Sequence, residues 1–188
     1  MTEKKLCWLA LGSNLPYRDM EPLQVINSAI DALQDVALDA IKVSGFYQTA
    51  PVPTTDQPDF INCVVAGETV HNALEMLDIC QSIEMSFGRD RAARWGARTL
   101  DIDIIGHDQQ IYPSVAAWRA VAENMAAGTE MPELVLPHPF MHQRAFVLRP
   151  LCDLAPEWWH PVLRRTVADL LSVQHEQERT SVVPLEVK

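Results

Sequence analysis

The chain has 188 residues, 48% of them hydrophobic, with 15 basic against 25 acidic side chains and a formal net charge of −10. That length suits one domain able to bury a substantial core without staples, and that charge argues against a broad nucleic-acid surface. Cys7, Cys63, Cys80 and Cys152 stand far apart among apolar neighbours with no Cys-x-x-Cys pair, so reduced core thiols are expected. A polar start and the short apolar run Leu6 to Leu11 offer neither a signal peptide nor a membrane span, and a cytoplasmic location is the expectation.

Leu6 to Leu11 reads as a buried strand closed by the turn cluster Gly12-Ser13-Asn14. A helix follows, with Asp19 or Glu21 near its start, Pro22 in its first turn, and Leu23, Ile26, Ile30 and Leu33 as one apolar stripe. Val36 to Thr49 reads as a long strand. Ala50 to Pro58 must be loop because it holds Pro51, Pro53 and Pro58, and Phe60 to Thr69 reads as a second strand pairing with the first. Asn72 to Phe87 is the most helical segment, with Leu74, Leu77 and Ile83 among its apolar positions and Gly88 as its stop. An arginine-rich loop and the strand carrying Asp101 come next. The order strand–helix–strand–strand–helix–strand is that of a ferredoxin-like α+β sandwich, an antiparallel sheet with helices packed on it. A short helix is expected from Ser114 through Met125, and a late one from Thr166 to His175 with Thr166 as N-cap. The reading is a single domain over 1–175 and a frayed tail over 176–188.

The segment from Arg89 to Asp103 carries the most chemistry. Four of the 15 basic residues, Arg89, Arg91, Arg94 and Arg98, fall within it, just ahead of Asp101 and Asp103. Leu100, Ile102 and Ile104 alternate with Thr99, Asp101 and Asp103, a period of two that puts both carboxylates on one face of a strand. At about 3.3 Å per residue their Cα atoms lie roughly 6.6 Å apart, suited to one or two hard cations. Two carboxylates about 5 Å apart repel by about 1 kcal/mol in water and about 3 kcal/mol at an effective dielectric near 20, and a divalent ion reverses that sign. Four guanidinium groups beside an acidic metal site suit a polyphosphate. A magnesium-nucleotide enzyme is the hypothesis; a solvated strand face with a charged loop is the bland alternative.

Other positions are less specific alone. Phe60 and Asn62 alternate at the start of a strand, where an aromatic and an amide could stack and hydrogen-bond a flat polar heterocycle, or could equally be a core ring and a strand-end cap. His138, stiffened by Pro137 and Pro139, could donate to a phosphate or sit in a surface turn. Arg144 and Phe146 again pair a phosphate-type donor with an aromatic. Glu84 lies one helical turn before Gly88, where a helix-face salt bridge is its default role. Gly12-Ser13-Asn14 could cradle phosphate, but a plain turn explains it better. Nothing supports nucleophilic or zinc chemistry.

Leu11-Gly12-Ser13-Asn14, Phe46-Tyr47-Gln48-Thr49, Asp56 through Asn62, Gly88 through Asp103, and Leu136-Pro137-His138-Pro139 with Arg144-Ala145-Phe146 occur in one order. That series closely resembles the 6-hydroxymethyl-7,8-dihydropterin pyrophosphokinase family of the folate pathway, over about Leu6 to Pro161. The segment Trp95 to Ile104 carries most of the specificity. The resemblance implies a modified ferredoxin-like fold, two Mg2+ ions, and transfer of diphosphate from ATP to the hydroxymethyl group of a dihydropterin, releasing AMP. It further implies that Asp101 and Asp103 hold the metal and, with Arg89 and Arg98, form the catalytic set. Arg89, Arg91, Arg94, Arg98, His138, Arg144 and Glu84 would serve ATP. Phe60 and Phe146 would sandwich the pterin, Asn62 and Thr49 would read its edges, and Trp95 would help close the loop. The partners expected are these small molecules alone, with no nucleic acid or membrane, for a monomer or weak dimer.

Some residues depart from the family pattern. Phe60 stands where tyrosine is frequent, Ala97 where proline is frequent, and Pro53-Thr54-Thr55 lacks a common glycine. The stretch between His107 and Pro137 is longer than in compact members, and the sequence assigns it no role. Two other readings stay open: a different magnesium-dependent phosphotransferase, which would not need the ring pocket, and a non-catalytic relative, which would be expected to have lost Asp101, Asp103 or the arginines.

Overall fold

In the computed structural model, which describes residues 3–52, 56–89, 98–123 and 132–186, each element follows from local sequence signals and long-range pairing. In chain order they are β1 (Lys5–Ser13), α1 (Pro22–Val36), β2 (Asp39–Val43), β3 (Tyr47–Thr49), β4 (Phe60–Thr69), α2 (Ala73–Ser86) and β5 (Asp101–His107). They continue with α3 (Val115–Glu123), α4 (Ala145–Leu154), β6 (Trp159–His160), β7 (Arg165–Thr166), α5 (Val167–Ser172), α6 (Glu176–Thr180) and β8 (Val183–Pro184). The main sheet runs β5-β1-β4-β3-β8 with β2 also on β4, and its pairings are antiparallel. That is the expected ferredoxin-like α+β arrangement. β6 and β7 form a separate ribbon.

Strand alternation splits the core in two. One face presents Leu9, Leu11, Cys63, Val65, Ile102 and Ile104 to Val25, Ile26 and Leu33 of α1 and Met76 of α2. The other presents Trp8, Val64 and Ile105 to Leu148 and Leu151 of α4 and Leu170 of α5. Burying one such leucine contributes roughly 1.5–3 kcal/mol. The cysteines are free, and burial pushes the Cys7 and Cys63 thiols up to about 12.

Helix ends follow their caps. Asn72 accepts from the N–H groups of Leu74 (3.0 Å) and Glu75 (3.1 Å), and Glu75 reciprocates at 2.7 Å to the Asn72 N–H. Gly88 ends α2 with φ of 76°, and a Cβ there would lie 2.6 Å from the Tyr17 ring, so glycine is required by conformation and by space. Thr166 caps α5 as expected, though that helix stops at Ser172. Within 114–125 the helix covers Val115–Glu123.

Two expectations are corrected, and one helix is new. The single strand from Val36 to Thr49 is instead the end of α1 followed by β2 and β3. The break falls where the Ser44 hydroxyl accepts the Val64 N–H at 2.9 Å and the Gly45 N–H turns to Asp153 at 3.1 Å, replacing ladder partners. The tail from Glu176 is not simply frayed: α6 forms, Val183 and Pro184 pair with Gln48 and Tyr47, and Val182 is buried beside Tyr47 and Ala145. Finally, α4 was not anticipated; it contains Pro150, which cannot bond the carbonyl one turn back.

Candidate active site

One row of cross-strand partners runs Asp101 on β5, Gly12 on β1, Asn62 on β4 and Tyr47 on β3. The next row inward pairs Asp103 with Ala10, and the outer end pairs Phe60 with Thr49. Period-two alternation therefore sets Asp101, Asp103, Asn62 and Phe60 on one sheet face, the α4 face, at one end of the strands. Gly12 leaves a hollow between the acidic pair and the amide: a Cβ there would stand 3.0 Å from Asn62 Oδ1 and 3.7 Å from the Phe60 ring. Thr49, buried, fixes the amide, its Oγ1 accepting from Asn62 Nδ2 at 2.8 Å.

Around Asp101 the charges interlock. Arg98 forms an ion pair with Oδ2, and Arg89 Nη1 lies 2.8 Å from Oδ1. Arg89 also pairs with Glu84, which is only 1% exposed and accepts the Ile102 N–H at 2.7 Å. Glu84, read from the sequence among the ATP-binding residues, faces Arg89 and the strand backbone. Burial, then Asp103, raises the Asp101 carboxyl above its usual value against the pull of Arg98 and Arg89.

On the other side of the pair, Arg144 Nη1 and His138 Nε2 lie 3.7 Å and 3.8 Å from Asp103 Oδ2. The Arg144 guanidinium is 5.7 Å from the Phe140 ring and 5.8 Å from the Phe146 ring, cation–π distances that bridge the acidic pair and the aromatic half of the site. Burial and Arg144 push the His138 imidazole down to about 3, so it is neutral at physiological pH. Its Nδ1 accepts from the Phe140 N–H at 3.2 Å, which assigns the ring proton to Nε2, the nitrogen facing Asp103. Beside them a cavity of about 180 Å³ is lined by Leu77, Ile102, Asp103, Ile104, Glu133, Leu134, Val135, His138 and Phe140. A larger groove of about 390 Å³ along α2 and the end of α1 carries none of the site residues.

The acidic pair fits a magnesium site. Asp101 Oδ1 is buried yet receives no hydrogen bond, because the Arg89 contact brings charge without an aligned N–H. Among the described residues no group of three or more His, Cys, Asp or Glu could hold a metal ion. Magnesium needs no such cage, since it takes one or two carboxylates and completes its shell with phosphate oxygens and water.

A model of the 7,8-dihydro-6-hydroxymethylpterin-pyrophosphokinase family matches residues 8–156. The chain belongs to that family. A Pseudomonas aeruginosa protein named 2-amino-4-hydroxy-6-hydroxymethyldihydropteridine pyrophosphokinase is 39% identical over 151 residues, 80% of each chain. One of the same name from Bacillus subtilis is 35% identical over 81% of this chain and 79% of its own. Among solved structures, a triple-mutant Plasmodium falciparum HPPK-DHPS matches with a TM-score of 0.67 at 17% identity, which speaks to the fold alone. The match covers 92% of this chain and 43% of that longer one.

Of the residues singled out in this pyrophosphokinase-family chain, the fold gathers Asp101, Asp103, Arg89, Arg98, His138, Arg144, Asn62, Thr49 and Phe60 at one sheet end, with Phe146 reached through Arg144. Arg91, Arg94 and Trp95 lie outside the described residues, as do Ala97 and Pro53-Thr54-Thr55. Sequence reasoning named Asn14 only within a turn cluster and a motif, and missed the contacts its side chain makes. Its amide donates to the Pro58 carbonyl (3.0 Å) and to Gln57 (3.3 Å), and its Oδ1 accepts the Arg98 N–H at 2.8 Å. The N–H groups of Asn14 and Leu15 are spent on the Arg98 carbonyl, at 3.1 and 3.2 Å. The Gly12-Ser13-Asn14 turn is therefore a junction between two loops rather than a phosphate cradle. Its sequence signals were a polar turn residue directly after a buried strand and its place in the Leu11-Gly12-Ser13-Asn14 motif.

Proposed function

We propose that this chain transfers diphosphate from ATP to the hydroxymethyl oxygen of 6-hydroxymethyl-7,8-dihydropterin, a step of folate biosynthesis. The hydroxyl oxygen bonds to the β-phosphorus, the bond from that phosphorus to the oxygen bridging it to the α-phosphorus breaks, and AMP leaves. The observation that carries this reading is the single sheet face, in a family member, that joins an acidic pair ringed by arginines to an amide-and-aromatic hollow across Gly12. An ordinary kinase would need only the first half.

Asp101 and Asp103 would hold two Mg2+ ions, which when bound would neutralise phosphate oxygens. Arg89 and Arg98 flank Asp101, where they would meet phosphate charge. Neutral His138 offers one N–H without adding charge, and Arg144 stands between the phosphates and the ring pocket. Phe60 and Phe146 stack the pterin, with Asn62, held by Thr49, reading its edge. The cavity beside Asp103 and His138, with both apolar and polar walls, suits the adenosine end of ATP. Catalysis rests on alignment and charge neutralisation, as a loose phosphoryl-transfer transition state requires. The reading takes the chain as a monomer or weak dimer in the cytoplasm, a location that free cysteines suit. Among the described residues no helix is long and apolar enough to cross a membrane.

Incubation with ATP, Mg2+ and the hydroxymethyl dihydropterin should yield AMP; ADP as the product would overturn the assignment. Phe146→Ala should weaken pterin binding by roughly 1–3 kcal/mol, the scale of base–aromatic stacking, with little change for ATP. Calorimetric titrations showing equal losses for both ligands would make Phe146 a packing residue.

A further inference from the structure

The stretch between His107 and Pro137 contains α3, whose buried face is Trp118 and Val121, packed on Val135 with Phe140, Val162 and Leu163 alongside. Trp118 is 2% exposed, and its indole N–H donates to the Pro137 carbonyl at 2.7 Å. That carbonyl belongs to the same peptide plane as the His138 N–H, which donates to the Ile105 carbonyl of β5 at 2.9 Å. One peptide group is thus held at both ends, by α3 on one side and by the strand of the acidic pair on the other. It directly precedes the His138 side chain, 3.8 Å from Asp103.

We propose that Trp118 is a positioning residue of this enzyme: through the Pro137–His138 peptide it aims the Nε2–H of His138 at the phosphate side of Asp103. A phenylalanine keeps an aromatic ring in the same place, though a smaller one; only the indole supplies the donor. Without it a buried carbonyl loses its partner and the plane is held by Ile105 alone. The inserted helix thereby gains a role as a buttress for the nucleotide side of the site. This rests on the reading of His138 as a phosphate contact.

The test uses Trp118→Phe, His138→Ala and the double variant. Trp118→Phe should lower kcat/KM for ATP by about tenfold, within the range a misplaced catalytic group produces, while KM for the pterin stays unchanged. In the His138→Ala background the same change should have no further effect. A loss of equal size in both backgrounds would make the indole a packing residue and overturn the proposal. Independently of turnover, NMR should show a shifted His138 ring signal in Trp118→Phe, and a slowly exchanging Trp118 indole proton in the unaltered protein. An unshifted ring or a fast-exchanging indole would also overturn it. If His138→Ala alone leaves kcat/KM for ATP at the unaltered value, the phosphate role of His138 falls, and the ring shift still decides whether Trp118 holds the peptide.

Discussion

Replacing Asp101 or Asp103 by alanine is expected to lower turnover by about a thousandfold or more, the scale of removing a dominant electrostatic contribution. The same substitutions should not unfold the protein. Two carboxylates share one strand face, and one of them is raised by burial and by its neighbour, so in the absence of divalent ions their juxtaposition opposes folding. Asp103→Ala should therefore leave the thermal midpoint in EDTA unchanged or higher, while abolishing the increase that added Mg2+ and ATP bring to the unaltered enzyme. Activity falls while stability in EDTA does not, which a residue that simply supports the fold would not show. A folded Asp101→Ala protein that keeps a tenth of the original rate would sink the metal assignment.

Glu84 makes the opposite case. It is 1% exposed, receives the Ile102 N–H and pairs with Arg89. Glu84→Ala strands a strand N–H inside the protein and strips Arg89 of a partner. Breaking a buried pair costs about 3–5 kcal/mol; because Arg89 retains some solvent and Asp101, about 2–3 kcal/mol is expected in urea unfolding. Glu84→Gln keeps an acceptor for Ile102 but not the charge, so most stability should return while KM for ATP stays elevated. If the two variants unfold at the same urea concentration, the strand N–H contributes little and the effect belongs to the ion pair.

How much of this was legible beforehand depended on whether the signal was local. The alternation from Leu100 to Ile104 placed both carboxylates on one face, Phe60 to Thr69 was bounded as found, and Pro22, Asn72 and Gly88 marked helix ends correctly. The failures involve partners distant in the chain. The break between β2 and β3 depends on a Ser44 hydroxyl replacing a ladder carbonyl opposite Val64. β8 exists because Tyr47 and Gln48 present an edge to it. Pro150 lies inside α4, its local preference against helix overruled by Leu148 and Leu151 packing on the sheet. Within the site, residue types were readable, but the burial of Glu84 and the clamp made by Asn14 were not, since both are defined by what folds over them.

The row Asp101–Gly12–Asn62 has a further consequence. Asp101 and Asn62 stand on β5 and β4 with β1 between them, so under the proposed assignment the span between the phosphate and pterin halves of the site is two strand spacings, roughly 9.6 Å. That span is a lattice constant of the hydrogen-bonded sheet, and no loop rearrangement can stretch it. The sheet serves as a ruler: ligands adapt to a fixed gauge, and an acceptor whose hydroxyl sits one bond farther from its ring would arrive out of register with the phosphorus it must attack.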